Sequence, residues 1–483
     1  MTTKQQVINV QLLINNEQVS GHESVNVFDP GRLDDLVATV SQGSPEQANQ
    51  AIEAAYAAYQ SWKQTTVEER CALLQKSADA IEAKLHEYAD ILLKEVGIIK
   101  EQSIGEMFGA IGALRVVAEI APEFLKPQIV EDEKNYIKIE KTSLGVVAAI
   151  LPWNVPMAIA LNKIAPILAT GNTVVVKPSP NAAVAVSLAL TEMAKLFPPG
   201  VINVIHGDVS VGEAITSHPL VRKITLTGGE RTAKQIMKSS ANTLKRLHFE
   251  LGGNDPAVIL DDATLETAIP QIVQMAFMRS GQICVATKRV YVPKHLYEQA
   301  TKLFIEQMNQ FTVGHGSNPN VNFGPVNNKL QYDKVKQLIE DAKQQATVYE
   351  LGNKAEDVSW DNGNYILPTL VTNIDAHHPI VLEEQFGPVL PLVAYESEEQ
   401  VLAEVNGTEF GLGSSVWTSN QQRGFDFAEK IEAGMTGING SIDSPVGFNI
   451  VPFGGVKQSG FGWERGTAGL SEFIAYHSLT YHK

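Results

Sequence analysis

Cys284, in the run SGQICVATK, is the residue most able to act as a nucleophile. It follows a helical stretch, AIPQIVQMAFMR, and a glycine turn, so its thiol lies beyond that helix. A thiol there can attack an electrophilic carbon. It can equally serve as a small buried hydrophobe, the usual fate of a free cysteine, and spacing alone leaves both open. The other cysteine, Cys71, sits inside the helical run ERCALLQK and reads as packing. Glu250 stands in LHFELGGNDPAVIL, between apolar neighbours and a Gly-Gly turn. Burying a carboxylate there is unfavourable unless something needs it. A general base with a raised pKa is one such need, and a structural carboxylate is the alternative. Asn154, in ILPWNVPM, is an amide on a proline-flanked loop after a buried strand. It can donate to an oxyanion or satisfy its own turn. Gly228 and Gly229 separate the strand KITLT from the helix RTAKQIMKS. A helix N-terminus behind a glycine turn suits a phosphate, although the G-x-G-x-x-G fingerprint is absent.

The segments around these residues have a clear rhythm. Residues 7–40 alternate apolar and polar positions around turn signals and read as short strands and hairpins. From Ser44 to about Glu119 the spacing is helical, and Ser44 with Gln47 forms a capping-box pair with Pro45 at the first helical position. From Ile137 the pattern becomes strand, turn, helix, repeated: SLGVVAAILPWN, MAIALNKIAPILATG, NTVVVKPS, AAVAVSLALTEMAKLF, VINVIHG and KITLTGG. Apolar, β-branched strands alternating with amphipathic helices predict an α/β fold with a parallel sheet covered on both faces. Ligands bind such sheets at the carboxyl ends of the strands, where this chain carries PWN, KPSP, HGD and TGGE. A second α/β block follows, from AVILDDA through KRVYVP and YEQATKLFIEQM to the PFGG loop near 452.

Composition narrows the classes. A chain of 483 residues predicts two or three domains. Its net charge of -16 repels phosphate backbones and anionic bilayers, so neither a nucleic acid nor a membrane surface is an expected partner. With 44% hydrophobic and 19% charged residues it reads as a soluble globular protein. No stretch of about 18 apolar residues is present, and MTTKQQVINVQLL lacks the form of a secretory signal. Two cysteines fit a reducing compartment, so a cytoplasmic location is expected. The 11 histidines include no HExxH, and no paired cysteines occur, so no metal is expected.

The motifs PWN, KPS, TGG, ELGG, GQxC, EExFGP and PFGG-x-K-x-SG occur in one chain and in one order. In this the sequence closely resembles the aldehyde dehydrogenase superfamily, from about residue 10 to the C-terminus. The resemblance implies a Rossmann-type, parallel-sheet cofactor domain (1–123 and 144–251), an α/β catalytic domain (252–470) and a small β oligomerisation element (124–143 and 471–483). It implies oxidation of an aldehyde to a carboxylic acid through a cysteine thiohemiacetal and a thioester. Cys284 would be the nucleophile, Asn154 the oxyanion donor, Glu250 the base that activates water, and Glu464, in FGWERG, a proton relay. NAD or NADP would lie against Ile150, Leu151, Trp153, Lys177, Ser179, Pro180, Gly228, Gly229, Leu251, Glu384 and Phe386. A substrate tunnel would be lined by Val155, Ala158, Ile159, Asn162, Met278, Arg279 and Ile283, with Phe448 from the loop 441–448. A homodimer or homotetramer would be the assembly.

The sequence also departs from the pattern. Pro180 stands where many NAD-preferring members carry a glutamate that repels a 2′-phosphate, so NADP is expected to be accepted. The turn TGGERTA replaces the usual TGS. Arg279 stands where the family usually has asparagine; it would steer an acidic substrate, lower the thiol pKa or make a polar contact between domains. CoA-acylating members generally lack the carboxylate of ELGG, so Glu250 argues against that alternative, and Cys284, Glu250 and Asn154 together argue against a non-catalytic role.

Overall fold

The computed structural model describes residues 7–356, 358–442 and 450–483; Phe448 lies outside the described residues. Ser44 opens the helix Pro45–Trp62 as the spacing predicts. Its hydroxyl accepts from the Gln47 amide at 3.3 Å, and the Gln47 side chain accepts from Ser44 N at 3.1 Å. Thr66 and Glu69 repeat the device at the start of Val67–Glu82. Two more helices, Leu85–Val96 and Lys100–Phe124, complete this block.

Five parallel strands form the centre of an eight-stranded sheet, in the order Arg246–Glu250, Val221–Thr227, Val146–Ile150, Thr173–Lys177 and Ile202–Val204. Their side chains alternate between two cores. Val147, Ala149, Val174 and Val176 pack with Ile164 and Leu190 of the helices on one face. Val146, Ala148, Val175, Ile224 and Leu226 pack with Ile52 and Ile236 of the helices on the other. The register aligns the carboxyl ends: Ile150 lies beside Lys177, Leu226 beside Ile150 and Glu250 beside Thr227. The loops PWN, KPS, TGG and ELGG therefore leave one edge of one sheet.

Only residues 251–254 separate this sheet from a second, seven-stranded one that begins with Asp255–Ile259. That strand pairs in parallel with Thr287–Pro293 and Gly413–Trp417, and Val389–Tyr395 lies beyond the former. A third sheet joins Ile474–His482 to Asn135–Ser143 and Gln128–Glu131, all antiparallel.

One element differs from the sequence reading. The helix before Cys284 ends at Phe277 instead of continuing through Arg279. Arg279, Ser280 and Gly281 follow with φ of 52°, 57° and 74°. A non-glycine residue in this left-handed region is strained by about 1–2 kcal/mol. Local contacts hold the turn: a Cβ at Gly281 would come within 2.3 Å of Gly387 O, and Ser280 Oγ donates to Gly324 O at 2.8 Å.

Candidate active site

Gly252 and Gly253 bring the ends of the two sheets together. A Cβ on Gly252 would lie 2.3 Å from Glu384 Oε2, and one on Gly253 would lie 2.8 Å from the carbonyl of Cys284. The ELGG turn thus threads between the Glu384 carboxylate and the cysteine loop, a passage no larger residue fits. Gly253 N donates to Glu384 Oε1 at 3.0 Å.

The cysteine loop is held from inside by Lys288, a residue passed over in the sequence. Its buried ammonium donates to the carbonyls of Ile283, Cys284 and Ala286 at 2.5, 3.2 and 3.1 Å. Cys284 is half-buried, and burial pushes its thiol up to about 12. Lys288 is the cation that opposes this, while Glu250, Asp255 and Glu384 reinforce it.

Asn154 is buried, and its Nδ2 donates to Gln282 O at 3.0 Å, two residues before Cys284. One amide hydrogen is thereby fixed on the cysteine loop, which orients the second. Arg279 fixes the same loop from behind. Its Nη1 donates to Asn154 O at 2.8 Å, and its Nη2 pairs with Glu106 Oε2 at 2.6 Å. Glu106 Oε1 accepts from the amides of Met157 and Ala158 at 2.7 and 3.2 Å, at the start of the helix Pro156–Ala169. The sequence places Arg279 in the tunnel or in a polar contact; its guanidinium is buried against the helix Lys100–Phe124, and the side-chain contacts it makes are these polar ones. Of the other expected tunnel residues, Val155, Ala158, Ile159 and Asn162 are half-buried around the start of Pro156–Ala169, Ile283 is buried and Met278 is exposed.

Glu250 is 3% exposed, and neither carboxylate oxygen has a hydrogen-bond partner among the described residues. Desolvation first, then the nearby Glu464 carboxylate, raises its pKa well above the carboxylate range. Both influences make this carboxylate a stronger proton acceptor than a solvated one. Glu464 Oε1 meets Lys163 Nζ at 2.5 Å, and Lys163 Nζ also donates to Thr225 Oγ1 at 2.9 Å.

The positions expected to meet the cofactor lie along the carboxyl edge and the loops that face it. Leu151 N donates to Lys177 O at 3.0 Å and Leu251 N to Ser459 O at 2.9 Å. Trp153 packs edge-on to Phe386, centroids 5.4 Å apart, linking PWN to EEQFGP. Phe386 has φ of 52°, and Gln331 Nε2 donates to its carbonyl at 3.0 Å. Ser179 is half-buried and Pro180 exposed. Gly228 N donates to Glu250 O, while Gly229 caps the helix Glu230–Ser240 with nothing among the described residues within 4 Å of its Cβ position. The residues fit a dinucleotide: an open helix start for a diphosphate, a lysine at the strand end and a carboxylate held by Gly253 N.

The family model described as the aldehyde dehydrogenase family matches residues 17–479. The chain is 34% identical over 475 residues to the alpha-ketoglutaric semialdehyde dehydrogenase of Bacillus subtilis, covering 96% of each. Its fold matches the betaine aldehyde dehydrogenase of Staphylococcus aureus, solved with NAD+, at a TM-score of 0.92 and 31% identity, over 97% of this chain and 94% of that one. It also matches an NADP-dependent enzyme of E. coli at a TM-score of 0.93 and 30% identity, over 99% and 98%. With the cysteine loop, the ELGG turn and the dinucleotide edge arranged as described, the chain belongs to the aldehyde dehydrogenase family and oxidises aldehydes to carboxylic acids as an NAD(P)-dependent, non-acylating enzyme.

Proposed function

We propose that Cys284 is the nucleophile, that Asn154 Nδ2 and the Cys284 backbone N–H hold the oxyanion, and that Glu250 is the base for hydrolysis. The observation that carries this reading is the convergence of all three on one loop. Asn154 is tied to Gln282, and the turn after Glu250 packs on the Cys284 carbonyl. The Cys284 thiol gives its proton to solvent, the resulting thiolate forms a bond to the aldehyde carbon, and the carbonyl electron pair moves to oxygen. Loss of one oxyanion donor lowers such rates roughly 100- to 1,000-fold. When bound, the nicotinamide supplies the hydride acceptor. Cys284 then carries the acyl group as a thioester. Water attacks it, giving its proton to Glu250, and the carbon–sulfur bond breaks to return the thiolate. The ion pair Lys163–Glu464 offers that proton a route outward.

For the cofactor, Lys177 and Ser179 would meet the adenosine ribose, Gly228 and Gly229 the diphosphate, and Glu384 the nicotinamide ribose, with Ile150, Leu151, Leu251 and Phe386 lining the groove. Pro180 offers no charge against a 2′-phosphate, so NADP is accepted. The division into cofactor domain, catalytic domain and small β element follows the boundaries given above. The unpaired edges of the third sheet, with Ile129, Tyr476 and Tyr481 exposed, suit pairing in a homodimer or homotetramer. No helix among the described residues is long and apolar enough to cross a membrane, and the location we favour is cytoplasmic. The test follows cofactor reduction with a panel of neutral, cationic and carboxylate-bearing aldehydes, with NAD or NADP, with and without CoA. Reduction without CoA supports hydrolysis. Reduction only with CoA overturns it, and no reduction with any aldehyde overturns the enzyme reading.

A further inference from the structure

The strand Arg246–Glu250 places His248 two residues before Glu250, so both side chains leave the same face of the sheet. His248 is fully buried. Its partner in register on the adjacent strand is Thr225, and Nδ1 lies 2.8 Å from Thr225 Oγ1. The same hydroxyl lies 2.9 Å from Lys163 Nζ. An ammonium only donates, so Thr225 Oγ1 accepts from Lys163 and turns its own hydrogen toward His248 Nδ1. The imidazole must then carry its proton on Nε2. Nε2 lies 3.5 Å from Glu250 Oε1, and neither atom has another hydrogen-bond partner among the described residues. A shift of about half an ångström closes that gap to a hydrogen bond.

The surroundings keep the ring neutral. Burial comes first, and the ammonium groups of Lys163 and Lys223 both oppose a second proton. Lys223 is itself paired with Glu472 at 2.5 Å. Glu464, Glu472, Arg465 and Lys163 are the other charged groups acting on Glu250. Gly462 backs the ring: a Cβ there would come within 2.5 Å of His248 Cδ2. The imidazole is thus a neutral donor in a fixed tautomer, aimed at a carboxylate that lacks any other donor among the described residues.

We propose that His248 is a positioning residue for the general base: its Nε2–H docks the Glu250 carboxylate and keeps it ionised between turnovers. This rests on the reading of Glu250 as the base. Without the donor, the buried carboxylate holds its proton more tightly, and hydrolysis of the thioester shifts to higher pH. A hydrogen bond to a charged group corresponds to about one to two pH units.

The experiment measures decay of the acyl-enzyme by rapid quench and mass spectrometry, across a series from roughly pH 5 to 9. Folding and cofactor binding are checked on each variant. His248→Gln keeps an amide N–H near the place of Nε2. His248→Asn keeps a polar group only near Nδ1, within reach of Thr225. The expected result is a wild-type acid limb for His248→Gln. For His248→Asn the limb moves up by about one to two pH units, with roughly tenfold or more slower decay at pH values on that limb. A purely structural role treats the two alike. An unmoved limb in a folded His248→Asn, or equal shifts in both variants, overturns the proposal. Should His248→Asn fail to fold, Thr225→Val releases the tautomer and moves the limb the same way; an unmoved limb there overturns it equally. Glu250→Gln is run in parallel. If its acyl-enzyme decays at the wild-type rate, the base reading itself has failed; if it stalls while His248→Asn keeps the wild-type limb, only the role of His248 has failed.

Discussion

Replacing Arg279 with methionine keeps the aliphatic stem and removes the guanidinium. Glu106 then stays fully buried with two backbone donors and no counter-charge. Breaking a buried pair from one side typically destabilises by about 3–5 kcal/mol. The Asn154 carbonyl also loses its 2.8 Å donor, so Asn154 keeps only its Nδ2 contact with Gln282 O to hold it against the cysteine loop. A misplacement of about 1 Å near reacting atoms can lower the rate roughly 100-fold. The expected phenotype is a less stable enzyme whose kcat/KM falls by about 10- to 100-fold for every aldehyde alike. Arg279→Met with Glu106→Gln removes both charges and should be more stable than Arg279→Met alone. Thermal and denaturant unfolding measure the first effect. Steady-state kinetics with neutral, cationic and carboxylate-bearing aldehydes measure the second. An Arg279→Met enzyme of wild-type stability that loses activity only on the carboxylate-bearing aldehyde would refute the reasoning, because the guanidinium would then face substrate rather than Glu106.

Other substitutions probe other contacts. In the free enzyme the Cys284 thiol is pushed up to about 12, so it is protonated at neutral pH. Alkylation by iodoacetamide should therefore accelerate about tenfold per pH unit into the alkaline range, and a plateau below pH 8 contradicts this. Lys288→Met removes the cation that favours the thiolate and should slow alkylation at every pH. Gly252→Ala places a Cβ 2.3 Å from Glu384 Oε2, so the carboxylate must move; cofactor KM should rise about 10- to 100-fold while the fold, read by circular dichroism, is retained. If Pro180 lies beside the 2′-phosphate as proposed, Pro180→Glu should raise KM for NADP by at least about tenfold, leaving NAD little changed.

Much of this arrangement is legible in the residue order because short-range rules dominate it. Ser44 and Gln47 announce a helix start by their own hydrogen bonds, and VVAAI and TVVVK announce strands buried on both faces. The motif loops announce themselves through proline and glycine. Residues that act across long sequence separations are harder to read. Arg279 meets Asn154 125 residues away and Glu106 173 residues away, and no local pattern encodes that choice. A faint signal existed in charges set within apolar helical runs: Glu106 in GEMFGAIGAL and Lys163 in LNKIAPILA. Such a charge is expected to be buried only with a partner. His248 carried a similar signal between leucine and phenylalanine. The left-handed turn at Arg279 to Gly281 was hidden because only its last residue is a glycine.

The role assigned to Cys284 is tested most directly by the covalent intermediate. Glu250→Gln enzyme is mixed with an accepted aldehyde and oxidised cofactor, quenched, digested and weighed by mass spectrometry. The expected result is one acyl group per active site on the peptide carrying Cys284, formed in step with one equivalent of reduced cofactor and absent from Cys284→Ala. Cofactor reduction with no adduct, or an adduct on another residue, would contradict the assignment.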